Sequence, residues 1–172
     1  MSNTTYLIDA NSLITPYRSY YQFTFFPTFW DKLKEEIECG HIAILDMVKL
    51  EISKGKDELS EWLEGITANH VIDRRNEKIV ISYQEILEYL RQSPCYKPSA
   101  LAEWSRSDVA DPWLVASAKT LGFTIITFET SNPNLNNYQP SKYAKIPDVA
   151  RVFDVEVCNL FEMMNSLGFT FR

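Results

Sequence analysis

The sequence is poor in the residues that build most small-molecule and zinc sites. It has five glycines and no glycine-rich turn between a strand and a helix, which argues against a nucleotide-cradling phosphate loop. Its three cysteines (Cys39, Cys95, Cys158) stand far apart with no CxxC pair. That pattern excludes a zinc ribbon and argues against a disulfide framework, so reduced thiols in the cytoplasm are expected. Only two histidines occur: His41 opens a strand, and His70 has no Cys or His partner at ligand spacing. No apolar run approaches the roughly 18–20 residues needed to cross a bilayer. The start, MSNTTYLIDA, lacks the basic segment and long apolar stretch of a secretion signal. There is no excess of positive charge: the net charge is −6 and the pI is near 5.0. Nucleic-acid binders are usually basic, but metal-binding carboxylates also carry negative charge that cations offset, so the charge decides nothing alone.

What is present fits one domain of 172 residues. Tyr6–Ile8 reads as a buried strand running into the polar turn Asp9-Ala10-Asn11-Ser12, where a helix begins. Residues 15–30 hold eight aromatics and two prolines, Pro16 and Pro27, which suggests a non-helical insert. A helix is expected from 31 to Gly40, a strand over 41–45, and a helix capped by Asp46 that carries Val48, Glu51 and Ile52. Residues 57–66 and 77–91 have helical periodicity, and Pro94 and Pro98 mark a connector. Asp111 with Pro112 has the form of a helix N-cap followed by proline at the first helical position. That helix runs to Gly122, and a strand follows over 123–127. After a polar loop (130–141) come a helix over 146–153 opened by a cap at Asp148, a last core strand within 155–160, and a helix over 161–168. Phe169–Phe171 could add an edge strand. Short apolar strands alternating with helices give an α/β fold, a three-layer α/β/α sandwich around a mostly parallel sheet. In such sheets the site forms beyond the C-terminal strand ends.

Four carboxylates stand where that rule points: Asp9 after the first strand, Glu51 about one and a half turns into a helix, Asp111 opening another, and Glu129 after the 123–127 strand. Mg²⁺ and Mn²⁺ favour oxygen ligands, and carboxylates gathered without a cation repel one another. Singly, each has a plainer reading: Asp9 as a turn residue, Asp111 as a cap, Glu51 as a solvated position among Lys49, Lys54 and Lys56. Asp108 reads as a polar loop residue.

Three stretches together resemble the PIN domain: LIDANSLI, VKLEI and ADPWLVASAKTLGFTIIT, the last being the most specific. The resemblance covers nearly the whole chain. It is closer still to a PIN subgroup called DUF4411, through FPTFWDKL, ADPWLVASA, TFET and KIPDVARVF. It implies Asp9, Glu51 and Asp111 as metal ligands, with Glu129 near the position of a fourth that is more often Asp. Asn11 and Thr127 become candidates for orienting those carboxylates through hydrogen bonds. The implied activity is a Mg²⁺- or Mn²⁺-dependent ribonuclease, with DNA still open as a substrate. The implied setting is a toxin–antitoxin pair, with an antitoxin protein as partner; a homodimer is also expected, since such proteins often dimerise. Lys49, Lys54, Lys56 and Arg106 are candidates for holding phosphate. A binding or regulatory module of the same fold with little catalysis is the alternative. Phosphatase chemistry is disfavoured because Asp9-Ala10-Asn11 lacks a second Asp two residues on. For the aromatic insert, packing or an interface is expected ahead of base stacking by Tyr20 and Tyr21.

Overall fold

Among the described residues five short strands form one sheet in the order β3-β2-β1-β4-β5, with every pairing parallel. The computed structural model describes residues 4–66 and 70–171. The strands are β1 (Tyr6–Ile8), β2 (Ile42–Leu45), β3 (Val71–Ile72), β4 (Thr124–Ile126) and β5 (Val157–Cys158). Central strands buried on both faces need apolar side chains in succession rather than alternation. Accordingly Leu7, Ile8, Ile44, Leu45, Ile125 and Ile126 are all fully buried. The expected sandwich is thus present, and its sheet is wholly rather than mostly parallel.

The helices are α1 (Asn11–Thr15), α2 (Pro27–Glu38), α3 (Asp46–Ser53), α4 (Glu58–Glu64), α5 (Glu77–Gln92), α6 (Pro98–Trp104), α7 (Asp111–Leu121), α8 (Ile146–Val152) and α9 (Leu160–Ser166). Right-handed crossovers put the helices of β1→β2→β3 on one face and those of β3→β4→β5 on the other. The packing agrees. Trp30 of α2 meets Trp62 of α4 edge-on at 5.1 Å, while Tyr83 of α5 stacks on Trp113 of α7 at 3.8 Å.

Several expectations need correction. The segment 15–30 is partly helical: α1 passes directly into a π-helical turn, Pro16–Tyr20, and Pro27 opens α2 instead of closing the insert. Proline is tolerated in a first helical turn because its missing N–H would be unpaired there anyway. The same logic turns Pro98 into the start of α6, within what reads as a connector. The two-residue strand β3 was not expected. Residues 169–171 join no strand; the rings of Phe169 and Phe171 pack toward Phe29 instead, with centroids 6.4 Å away. Asp148 is the third residue of α8 rather than its cap, and its Oδ2 accepts from the Asn132 N–H at 2.9 Å, tying the polar loop to the helix. Asp46 is the first residue of α3 rather than its cap, and its Oδ1 still accepts the Met47 N–H at 2.8 Å.

The insert is largely packed. Tyr21 stacks on Phe29 and Phe23 on Trp30, both at 4.3 Å, and the Trp30 indole donates to the Tyr21 carbonyl at 2.6 Å. Tyr20, Phe25 and Phe26 remain exposed.

Candidate metal centre

The site is built at the C-terminal edge of β1 and β4, in the middle of the sheet. Ile8 is in register with Ile126, so the next residues, Asp9 and Thr127, emerge side by side. The Asp9 N–H donates to the Ile126 carbonyl at 2.9 Å, and the Thr127 hydroxyl donates to Asp9 Oδ2 at 2.9 Å. Thr127 Oγ1 also accepts the Glu129 N–H at 3.1 Å, which fixes the turn after β4. Asp9 is 5% exposed, and its carboxyl has a pKa of about 6. Burial drives that rise, the Thr127 hydrogen bond opposes it, and the charges of Glu129 and Glu51 add to it.

Asp111 is not the helix cap that its sequence suggests. The Leu114 N–H takes the Ala110 carbonyl at 2.9 Å, so α7 starts one residue earlier and Ala110 holds the cap position in a helical conformation. Asp111 becomes the first helical residue, with Pro112 behind it. Among the described residues nothing donates a hydrogen bond to its carboxylate. Burial raises its pKa to about 7, reinforced by the charges of Asp9, Glu129, Glu51 and Glu103. A half-buried carboxylate without a donor is costly unless something else compensates it.

Glu51 stands on α3, more exposed than the two aspartates, with its pKa raised by partial burial and lowered by Lys54. Glu129 is turned elsewhere. Its Oε2 accepts the Ile146 N–H at 2.8 Å at the start of α8, and its Oε1 pairs with Lys145 at 3.2 Å. Asn11 is exposed at the start of α1 and makes no hydrogen bond to a carboxylate among the described residues. Asp108 lies in the loop before α7, where Arg106 clasps it at 2.6 Å; both are therefore partly neutralised.

The carboxylates are thus coupled through charge rather than through contact. Among the described residues no three acidic, His or Cys side chains stand close enough together to ligate one ion. The donor set nevertheless suits a hard cation: all-oxygen, held by rigid strand and helix ends, with two members pushed up by burial and mutual repulsion.

The family model described as a domain of unknown function, DUF4411, matches residues 6–171. The chain belongs to the DUF4411 family. Its fold is PIN-like. It is similar to a chain in a crystal structure of VapBC2 from Rickettsia felis bound to a DNA fragment from their promoter. That match has a TM-score of 0.52 and 16% identity, and covers 91% of this chain and 98% of the other. No curated protein matches the chain. No helix among the described residues is long and apolar enough to cross a membrane.

Sequence reasoning overlooked two residues around this DUF4411 centre. Glu103 on α6 adds its charge to the field at Asp111. The signal was available, since Pro98 followed by SALAEW has the form of a short helix with proline at its first position. Arg74 is the other. Its guanidinium pairs with Asp46 at 3.0 Å and lies 5.8 Å from the Trp113 ring centroid. It follows β3, a strand too short to leave a periodic trace.

Proposed function

We propose that this DUF4411 protein is a metal-dependent endoribonuclease, acting as the toxin of a toxin–antitoxin pair. One observation carries the reading: Asp9, Glu51 and Asp111 come from three separate elements, yet Asp9 and Asp111 are each destabilised as anions, first by burial and then by nearby carboxylates, Glu129 and Glu51 at Asp9 and Asp9, Glu129 and Glu51 at Asp111. Structural carboxylates are normally paired with donors or cations, and perturbed groups gathered at a strand edge are the mark of a functional site. Asp9, Glu51 and Asp111 would hold Mg²⁺ or Mn²⁺, with Glu129 assisting from the turn after β4. Such a cation, when bound, makes water a stronger nucleophile and offsets charge on the phosphodiester. The chain's own residues do the positioning. Thr127 fixes the rotation of the Asp9 carboxylate through its hydroxyl, and the start of α7 aims Asp111 from a rigid helix end. Burial withdraws both aspartates from bulk water, so that they favour a cation over a hydration shell. An antitoxin would act by covering this edge, a role supported by the fold shared with a VapBC2 chain.

A second reading, a binding or regulatory module of the same fold, draws on Glu129. With both of its oxygens engaged by α8, it behaves as a structural residue as much as a ligand. One experiment separates the two. The purified chain is incubated with single-stranded RNA, structured RNA and single-stranded DNA in Mn²⁺, Mg²⁺ or EDTA, beside Asp9→Asn and Asp111→Asn. A nuclease cleaves in metal only and loses activity in both variants. Cleavage that persists in EDTA, or in the variants, would defeat the enzyme reading.

A further inference from the structure

On the Glu51 side of the carboxylates an open groove of about 470 Å³ is lined by Lys54, Lys56 and Arg74 together with the acidic Glu51 and Asp108 and the apolar Met47. Neither Lys54 nor Lys56 makes an ion pair among the described residues. In an acidic chain this groove gathers three cationic side chains beside two carboxylates, and the charge of Lys54 acts on both Glu51 and Asp108.

The turn that presents them is unusual in its choice of residues. Lys56 has a φ of +49°, in the left-handed region that disfavours a side chain, and the glycine of the turn lies one position earlier. Gly55 answers to a different constraint, close approach rather than positive φ. A Cβ there would stand 3.1 Å from Asp57 Oδ2 and 3.2 Å from the Ile52 carbonyl oxygen. Both sides of the turn are pinned: the Gly55 N–H donates to the Ile52 carbonyl, and Asp57 caps α4 through a reciprocal pair of hydrogen bonds with Ser60. A turn selected for stability alone would carry Gly or Asn at 56. A lysine held in a disfavoured conformation on a rigid turn, facing a groove, points to a use for its charge. Arg74 completes the wall, fixed by Asp46 and by the face of Trp113.

We propose that the 54–56 turn and Arg74 form a phosphate track that holds the RNA backbone on the Glu51 side of the scissile bond. The inference rests on the ribonuclease reading for its ligand. Lysine supplies the point charge that phosphate oxygens need without reading the base, so the track selects for backbone and not for sequence.

The test is binding, not cleavage. A short fluorescein-labelled single-stranded RNA is titrated with the Asp111→Asn chain in Mg²⁺, and anisotropy is followed over a range of salt. Lys54→Gln and Lys56→Gln are each expected to weaken binding about three- to tenfold, and each to lower the slope of log affinity against log salt by about 1. Lys56→Gly is the discriminating variant. It relieves the backbone and should raise the melting temperature, yet it should bind RNA as weakly as Lys56→Gln. If Lys56→Gly is more stable and binds like its parent, or if both glutamine variants keep affinity and salt slope, the track is overturned while the ribonuclease reading stands. If the unsubstituted chain binds no RNA at all, both fall together.

Discussion

The Thr127 hydroxyl donates to Asp9 Oδ2 at 2.9 Å, joining the ends of two strands whose residues lie 118 apart in sequence. It is the main contact opposing the upward shift of the Asp9 pKa, and it sets which way the carboxylate faces. Thr127→Val keeps the shape and removes the donor. We expect the Asp9 pKa to rise further and Mn²⁺ affinity to fall about 10- to 100-fold, as when other carboxylate-orienting hydrogen bonds are lost. Thr127→Ser should restore most of the affinity. Calorimetric titration of the three proteins checks this, and equal affinities would show that Thr127 does not orient the site.

Asp9 and Asp111, with pKa values of about 6 and about 7, sit above their ordinary value of 3.8. Between about pH 4 and pH 7 the folded chain therefore keeps protons that the unfolded chain releases. Each rise in pH across that window lowers the unfolding free energy. In EDTA the protein should melt at a lower temperature at pH 8 than at pH 5, these two groups lowering the unfolding free energy by about 4 kcal/mol. Asp111→Asn should flatten much of that dependence and stabilise the chain at pH 8. Thermal melts across the window test it; a variant with the wild-type pH dependence would contradict the shift.

Metal loading should follow the same window in reverse. The carboxylates must ionise to bind a cation, so Mn²⁺ affinity should fall as the pH drops from about 8 to about 5.5. Adding Mn²⁺ at pH 8 should raise the melting temperature of the wild type and leave that of the Asp9→Asn, Asp111→Asn double variant unchanged. A metal-induced shift in the double variant would place the cation elsewhere.

Glu129 offers a contrast. Glu129→Ala leaves the Ile146 N–H and Lys145 without their partner, at a cost of about 1 kcal/mol, the usual loss for a helix cap. Its effect on cleavage should be well below that of Asp9→Asn. Loss of activity equal to Asp9→Asn, without loss of stability, would make Glu129 a ligand first and a cap second.

Trp30 is 1% exposed, meets Trp62 and Phe23, and donates to the Tyr21 carbonyl. Trp30→Ala should cost about 3–5 kcal/mol, and Trp30→Phe about 1–2 kcal/mol through the lost hydrogen bond. Denaturant unfolding measures both. Near-neutral values would mean the aromatic insert is not an integral part of the core.

The sequence carried the architecture well where apolar runs are short and continuous, as at Tyr6–Ile8 and Phe123–Thr127, because both faces of a central parallel strand are buried. It carried little of the sheet edge. A two-residue strand such as Val71–Ile72 has no period to read, and Arg74 went unnoticed with it. Prolines 27 and 98 were misread for a single reason, since proline ends a helix from within but begins one from its first turn. At the centre, Asp9 is pointed to by the strand end, whereas Glu51 is singled out by the resemblance of VKLEI more than by any local pattern. The cap at Ala110 and the attachment of Glu129 to α8 depend on how α7 and α8 dock, which no local pattern encodes.

The central place of β1 has a consequence for how the protein is made. Strand β1 is flanked by β2 on one side and by β4 on the other, and Asp9 lacks its companion until residue 127 has been made. Pairings so distant in sequence form late. The carboxylate edge is therefore completed by a contact that spans most of the fold, and Asp9 stays without the hydroxyl that orients it until the β4 turn has docked.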